Sequence, residues 1–298
     1  MTALFYYIEN LKIMQGEKAG GFMKRIAVVN DLSGLGRCSL TAALPVLSVL
    51  GTECCPLPTA ILSNQTGYDS FFCDDFTDRL DAYLAEWQKL GVRFDGILTG
   101  YLASEAQAKR IEAFLDAFQT PDTLFVCDPV MADDGRVYDT YDEALCNAVA
   151  RLAKRANVIT PNLSELCLLC GADYDTLSAA CAQGRGFPEV AALAKSLLSD
   201  VLHTVVVTGL RCGDEISCVL VTHEGETVVT GKRFGGSYSG TGDLFSAVLT
   251  GELVRGTNAE TAVRKAVRFL EASIEESYRA RTDRNDGVNF QNHLEMLL

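Results

Sequence analysis

The sequence predicts an α/β fold: a mostly parallel central sheet with helices on both faces and an antiparallel hairpin. Three observations carry this expectation. Short runs of β-branched and apolar residues recur at 25–30, 53–61, 95–99, 123–127, 156–160 and 203–208. Stretches with apolar residues at three- and four-residue spacing lie between most of them. Near the C-terminus, two strand-like runs flank a short polar turn. Strand–helix alternation favours parallel pairing, because a crossover helix returns the chain to the same end of the sheet.

Taken in order, residues 1–22 look unlike the rest of the chain, and Met23 is a natural start just before the first strand, Ile26-Ala27-Val28-Val29. Residues 1–22 are therefore expected to be an extension or a misassigned start, and residues 23–298 a single domain. Helices are predicted over Asp75–Leu90, Ser104–Phe118, Glu189–Leu198 and Asn258–Tyr278, with Ser104 as an N-terminal cap. Ile216–Thr222 and Thr227–Phe234 flank His223-Glu224-Gly225-Glu226 and read as a hairpin. Arg211–Asp214 reads as the loop before it, Asp133-Asp134-Gly135 as a turn, and Arg279–Arg284 as a solvated charge run. Trp87, Cys54 and Cys55 read as packing residues.

The 298 residues carry 26 Lys and Arg against 39 Asp and Glu, a net charge of −13. Such a surface repels polyanions, which argues against nucleic acid and acidic membranes as partners. The uncharged run Cys38–Thr52 is shorter than a membrane span and contains Pro45. Eleven cysteines, an odd number without a recognisable signal segment, are expected to be reduced thiols of a cytoplasmic protein. Cys167-Leu168-Leu169-Cys170 stands alone, with His203, His223 and His293 the only histidines. Neither a structural zinc site nor a Ser-His-Asp hydrolase is expected.

In open α/β sheets, ligands bind beyond the carboxyl ends of the strands. Oxygen-bearing side chains follow five of the predicted strands: Asn30 and Asp31; Thr59 and Asn64; Asp128; Thr160, Asn162 and Glu165; and Thr208, with Gly209. The sharpest local signal is Gly235-Gly236-Ser237-Tyr238-Ser239-Gly240-Thr241-Gly242-Asp243, which leads into an apolar helix running to about Val254. A glycine-rich turn entering a helix offers unpaired N–H groups to an anion. Asp243 reads either as a favourable first-turn carboxylate or as a general base beside a phosphate hole. The pattern is neither a P-loop nor a dinucleotide fingerprint.

Ser239-Gly240-Thr241-Gly242-Asp243 resembles the anion-hole signature of the ribokinase-like superfamily, and within it the chain resembles the vitamin B6 kinases. Four further stretches match in order: Leu62-Ser63-Asn64, Thr99-Gly100-Tyr101-Leu102, Asp128-Pro129-Val130-Met131 and Thr160-Pro161-Asn162-Leu163-Ser164-Glu165-Leu166. The resemblance implies an ATP-dependent kinase acting on the 5′-hydroxymethyl group of pyridoxal, pyridoxine or pyridoxamine. It implies Asp243 as the base, with Gly240, Thr241 and Gly242 as the anion hole. It places Asp128 and Glu165 near Mg²⁺ and the ATP phosphates, and Thr160 and Asn162 beside them, with Thr160 next to a K⁺ ion. Thr208, Gly209, Lys232 and Phe234 are implied on the nucleotide side. Asn30, Thr59, Asn64, Thr66 and Gly67 are implied on the vitamer side. The family also implies a homodimer. Two positions depart from its common pattern: Asn30 stands where Ser is usual, and Thr208 where some relatives have Lys. Related hydroxymethylpyrimidine kinases commonly show Cys where this chain has Asp243. They remain the alternative, together with a non-catalytic sensor on the same fold.

Overall fold

The computed structural model describes residues 23–298; the expected extension at 1–22 lies outside the described residues. Among the described residues there are eleven strands: β1 (Arg25–Ser33), β2 (Glu53–Leu62), β3 (Cys73–Asp75), β4 (Gly96–Thr99), β5 (Leu124–Cys127), β6 (Ala132–Asp133), β7 (Arg136–Val137), β8 (Val158–Ile159), β9 (Thr204–Cys212), β10 (Glu215–Thr222) and β11 (Glu226–Lys232). The α-helices are α1 (Ser39–Val49), α2 (Leu80–Lys89), α3 (Glu105–Phe118), α4 (Glu143–Arg155), α5 (Leu163–Cys170), α6 (Tyr174–Ala182), α7 (Phe187–Ser196), α8 (Thr241–Val254) and α9 (Ala259–Ala280).

Nine strands form one sheet in the order β11-β10-β9-β8-β5-β4-β1-β2-β3. The pairs from β9 through β2 are parallel, while β10, β11 and β3 are antiparallel additions at the two edges. The expected mixed sheet is therefore present. Alternation along each strand sorts the core into two layers. Ala27, Val29, Ile97, Phe125, Ile159, Val205 and Val207 face α2 to α7. Ile26, Val28, Leu98, Val126, Val158 and Val206 face α1, α8 and α9. Trp87 packs among Tyr83, Phe94, Phe114 and Phe118, with ring centroids 5.1–6.4 Å apart.

Two sequence expectations are corrected. Residues 75–79 are not α-helical: Asp75 ends β3, and its Oδ1 accepts from the Thr77 amide at 2.8 Å, a local bond that turns the chain before α2. Residues 211–214 are not a loop: Arg211 and Cys212 pair with Ile216 and Glu215, so β9 runs straight into β10 through Gly213 and Asp214. Gly213 has φ +56, which suits so tight a turn.

Gln107 ties the β2 side of the sheet to α3. It is fully buried, accepts from the Ala103 N–H, and donates to the Thr59 carbonyl and the Thr77 hydroxyl. A Gln107→Leu variant strands all three partners. Denaturant melts are expected to show a loss of about 1–3 kcal/mol; an unchanged midpoint would contradict this account of the joint.

Candidate active site

A cavity of about 1210 Å³ opens beyond the carboxyl ends of the parallel strands. Its floor forms where the sheet reverses direction: β1 lies between β2 and β4, so the crossovers on its two sides diverge and leave a crevice. A register shift between Asn30 and Leu32 interrupts the β1–β2 ladder there. Asn30 and Asp31 are thereby brought to the rim of the crevice.

Asn30, Thr66, Gly67, Asp128, Thr160, Asn162, Glu165, Thr208, Gly209, Lys232, Phe234, Gly240, Thr241, Gly242 and Asp243 all line this cavity. Thr59 and Asn64, expected beside the vitamer, do not. Thr59 is fully buried beneath α3, where its carbonyl receives Gln107. Asn64 folds its own loop, accepting from the Ser63 hydroxyl at 2.7 Å and donating to the Ser70 carbonyl at 2.8 Å. Gln65 lines the cavity instead and, with Asn285, clamps Gly67 from both sides.

The α8 end of the cavity is built for an anion. Gly240 takes φ +82 and ends the loop without a side-chain cap. The first helical bond is Leu244 N–H to the Gly240 carbonyl, so the preceding amides of Thr241, Gly242 and Asp243 have no intrahelical acceptor. Asp243 sits in this first turn. Its carboxylate receives the Asn30 amide at 2.9 Å, and the Ser39 main-chain N–H faces it. Burial pushes the carboxyl up to about 6, with the charge of Asp31 adding to the rise and the two donors opposing it.

Asp128 and Glu165 lie deeper. Burial raises both carboxyls, and repulsion adds to it: Asp243 acts on Asp128, and Asp128 on Glu165. Asp128 accepts from the Ser246 hydroxyl at 3.0 Å, and Ser246 in turn meets Thr160 at 3.0 Å. Glu165 completes a capping box with Asn162 at the start of α5 and also accepts from the Met131 amide. Two neighbouring carboxylates that resist ionisation together suit a divalent cation, and hard oxygen donors suit Mg²⁺.

Several site residues escaped the sequence reading. Ser39, strained at φ +49, points its N–H at Asp243 and its hydroxyl at Asp31. Arg284, the last residue of the run expected to be solvated, lines the cavity together with Asn285 just after it. Arg37 anchors that C-terminal segment through the Gly287 and Val288 carbonyls and Asn289. At the β9–β11 end of the cavity, Arg211 pairs with Asp134 at 2.9 Å, and Lys232 lies 5.0 Å from the centre of the Phe234 ring. Cys38 lines the cavity, but burial beside Asp243 and Asp31 pushes its thiol up to about 12, which removes it as a nucleophile. All eleven cysteines are unpaired, and no metal-binding cluster of three or more His, Cys, Asp or Glu occurs among the described residues. No helix among the described residues is long and apolar enough to cross a membrane.

Comparison with known proteins agrees with this architecture. The phosphomethylpyrimidine kinase family model matches residues 41–288. A pyridoxine/pyridoxal/pyridoxamine kinase from Bordetella avium is 32% identical over 269 residues, spanning 86% of this chain and 87% of the relative. A Bacteroides thetaiotaomicron protein, named for phosphomethylpyrimidine kinase and crystallised with pyridoxal, superposes with a TM-score of 0.86 at 35% identity. That match covers 92% of this chain and 96% of the other. Pyridoxal kinase from Lactobacillus plantarum superposes with a TM-score of 0.81 at 30% identity, covering 93% and 97%. With the ordered motifs on one cavity rim and relatives of this similarity along nearly its whole described length, the chain belongs to the vitamin B6 kinase family, within the ribokinase-like fold.

Proposed function

We propose that this protein is an ATP-dependent kinase that phosphorylates the 5′-hydroxymethyl group of a vitamin B6 vitamer: pyridoxal, pyridoxine or pyridoxamine. One observation carries the reading. A carboxylate raised toward neutrality, Asp243, sits in the first turn of a helix whose free amides face the same cavity. That puts a base for an alcohol beside a hole for the phosphoryl group the alcohol attacks. The B. avium relative named for all three vitamers supports the substrate class.

Phosphoryl transfer asks a protein for alignment and for neutralisation of spreading negative charge. Asp243 accepts the hydroxyl proton as the oxygen attacks the γ-phosphorus, and the bond to the β,γ-bridging oxygen breaks to release ADP. The amides of Thr241, Gly242 and Asp243 receive the equatorial oxygens, aided by the positive end of α8. Thr66 and Gly67, clamped by Gln65 and Asn285, wall the vitamer end. Thr208, Gly209, Lys232 and Phe234 wall the nucleotide end. Asp128 and Glu165 would hold Mg²⁺, which would supply neutralisation of the phosphate charge. Thr160 is the residue we assign to a K⁺ ion. Residues 23–298 act as one kinase domain, in a cytoplasmic homodimer.

Asp128→Asn and Glu165→Gln each remove one charge from the acid pair. The Mg²⁺ concentration giving half-maximal turnover is expected to rise about 10–100-fold. An unchanged Mg²⁺ titration in both variants would remove the pair from the metal site. Turnover of hydroxymethylpyrimidine in preference to every B6 vitamer would keep the mechanism and change the substrate.

A further inference from the structure

We infer that Asn30 is a positioning residue: its side-chain amide tethers the Asp243 carboxylate in the orientation from which it takes the acceptor's proton. The inference rests on the kinase reading above.

The polarity of the Asn30 amide is fixed by its neighbours. Its Oδ1 receives two main-chain N–H groups, from Asp31 and from Tyr101, both at 3.0 Å. Main-chain amides only donate, so that atom must be the oxygen, and the NH₂ end must face Asp243. Nδ2 then donates to Asp243 Oδ1 at 2.9 Å. A flipped amide would set donors against donors and an oxygen against the carboxylate. Gly100 walls the other side of the amide: a Cβ at that position would lie 2.5 Å from Nδ2. Asn30 is thus held by β1, by the turn after β4 and by α8 together. It is only 5% exposed, which leaves little of it to meet a ligand.

A tether is needed because the charged neighbours of Asp243 are acidic: Asp31, from β1, repels it, and Asp128, from the end of β5, feels its charge in turn. Cys38, from the segment before α1, and Tyr138, from the segment after β7, also face it, but both stay protonated and uncharged. None of the four carries a positive charge. Two donors hold it, the Asn30 amide and the Ser39 N–H. Ser39 is itself fixed, its hydroxyl donating to Asp31 at 2.6 Å. Without Asn30, a single main-chain bond remains, and the carboxylate is free to swing away from Asp31.

The test is a mutant cycle. Asn30→Ala is expected to lower kcat by about 10–100-fold, the cost of a misplaced reacting group. The vitamer KM and the calorimetric vitamer Kd should stay within about twofold, because binding is not the step affected. Gly100→Ala, which forces the amide to shift without removing it, should lower kcat in the same sense; it keeps the test alive if Asn30→Ala does not fold. In an Asp243→Asn background, neither change should lower the residual rate further, because the group they position is already gone. A raised KM or Kd with unchanged kcat would make Asn30 a vitamer contact and overturn the inference. So would losses that multiply in the Asp243→Asn background. A wild-type protein that turns over no vitamer overturns the kinase reading and this inference with it, and that result is separate from the other two.

Discussion

Asp243→Asn is expected to lower kcat by about 10²–10⁴-fold, the range a general base supplies, while raising the melting temperature of the free protein. The two effects have one cause. The folded protein holds the Asp243 carboxyl at about 6, well above its ordinary value of 3.8. Its charged form is therefore disfavoured in the folded state. Between about pH 4 and 6 the folded state binds more protons than the unfolded one, so stability falls as pH rises through that window. At neutral pH the full penalty is present, on the order of 3 kcal/mol. An asparagine is neutral at every pH and removes it. Part of the gain is lost, because an amide has one acceptor oxygen for the two donors from Asn30 and Ser39. The net is a rise of about 1–2 kcal/mol, or about 2–3 °C for a chain of this size. The same ionisation gives wild-type kcat/KM an acidic limb near pH 6, falling as pH drops, and the variant should lose that limb. Near-normal turnover in Asp243→Asn would remove the base assignment, and a lower melting temperature would contradict the electrostatic argument.

Gly240→Ala should be nearly as damaging to turnover, and it should also destabilise. At φ +82 an L-residue with a Cβ costs about 1–2 kcal/mol. The added carbon would also lie 2.0 Å from the Arg37 carbonyl oxygen, a main-chain atom. Arg37 cannot retreat easily: its N–H is bound to the Asp286 carbonyl and its guanidinium to three further acceptors. The loop must therefore move, and it carries the anion-hole amides with it. A displacement on the order of 1 Å at reacting groups costs about 10²-fold in rate. Steady-state kinetics should show at least that loss in kcat, with a stability loss of about 2–4 kcal/mol by thermal melt. Wild-type turnover in this variant would mean that the amides of α8 do not face the transferring phosphoryl group.

The sequence made some of this legible and hid the rest for physical reasons. Strands at 25–30, 95–99 and 123–127 stand out because both faces of a parallel sheet are covered, so nearly every residue is apolar. Helix α3 is legible because one face is buried and the other wet, and because Ser104 caps it. Helix α1 is hidden by its own burial. It lies against β1, β2 and α8, carries Pro45 within it, and lacks the polar stripe that reveals a surface helix. The short α5 and α6 are similarly quiet in periodicity. The glycine run before Asp243 marked the turn into α8, because Gly240 takes a positive φ there and the helix opens without a side-chain cap. The placement of Thr59 and Asn64 was not legible, because a shift of one residue in a strand or loop reverses the face presented. Asn285 and the Arg37 anchor make contacts between segments more than 200 residues apart in sequence, and Arg284 reaches Asp133 across 151. No local pattern announces them. Ser39 is hidden because backbone strain leaves no mark in residue type.

The central claim is that Asp243 and the α8 amides transfer phosphoryl from ATP to a B6 vitamer. The most direct measurement is ATP turnover with pyridoxal, pyridoxine, pyridoxamine and hydroxymethylpyrimidine, each under Mg²⁺ and K⁺, for wild type and Asp243→Asn side by side. The account expects the highest kcat/KM with a B6 vitamer, and a fall of about 10²–10⁴-fold in the variant. Turnover of no vitamer by the wild type, or equal turnover by both proteins, would contradict it.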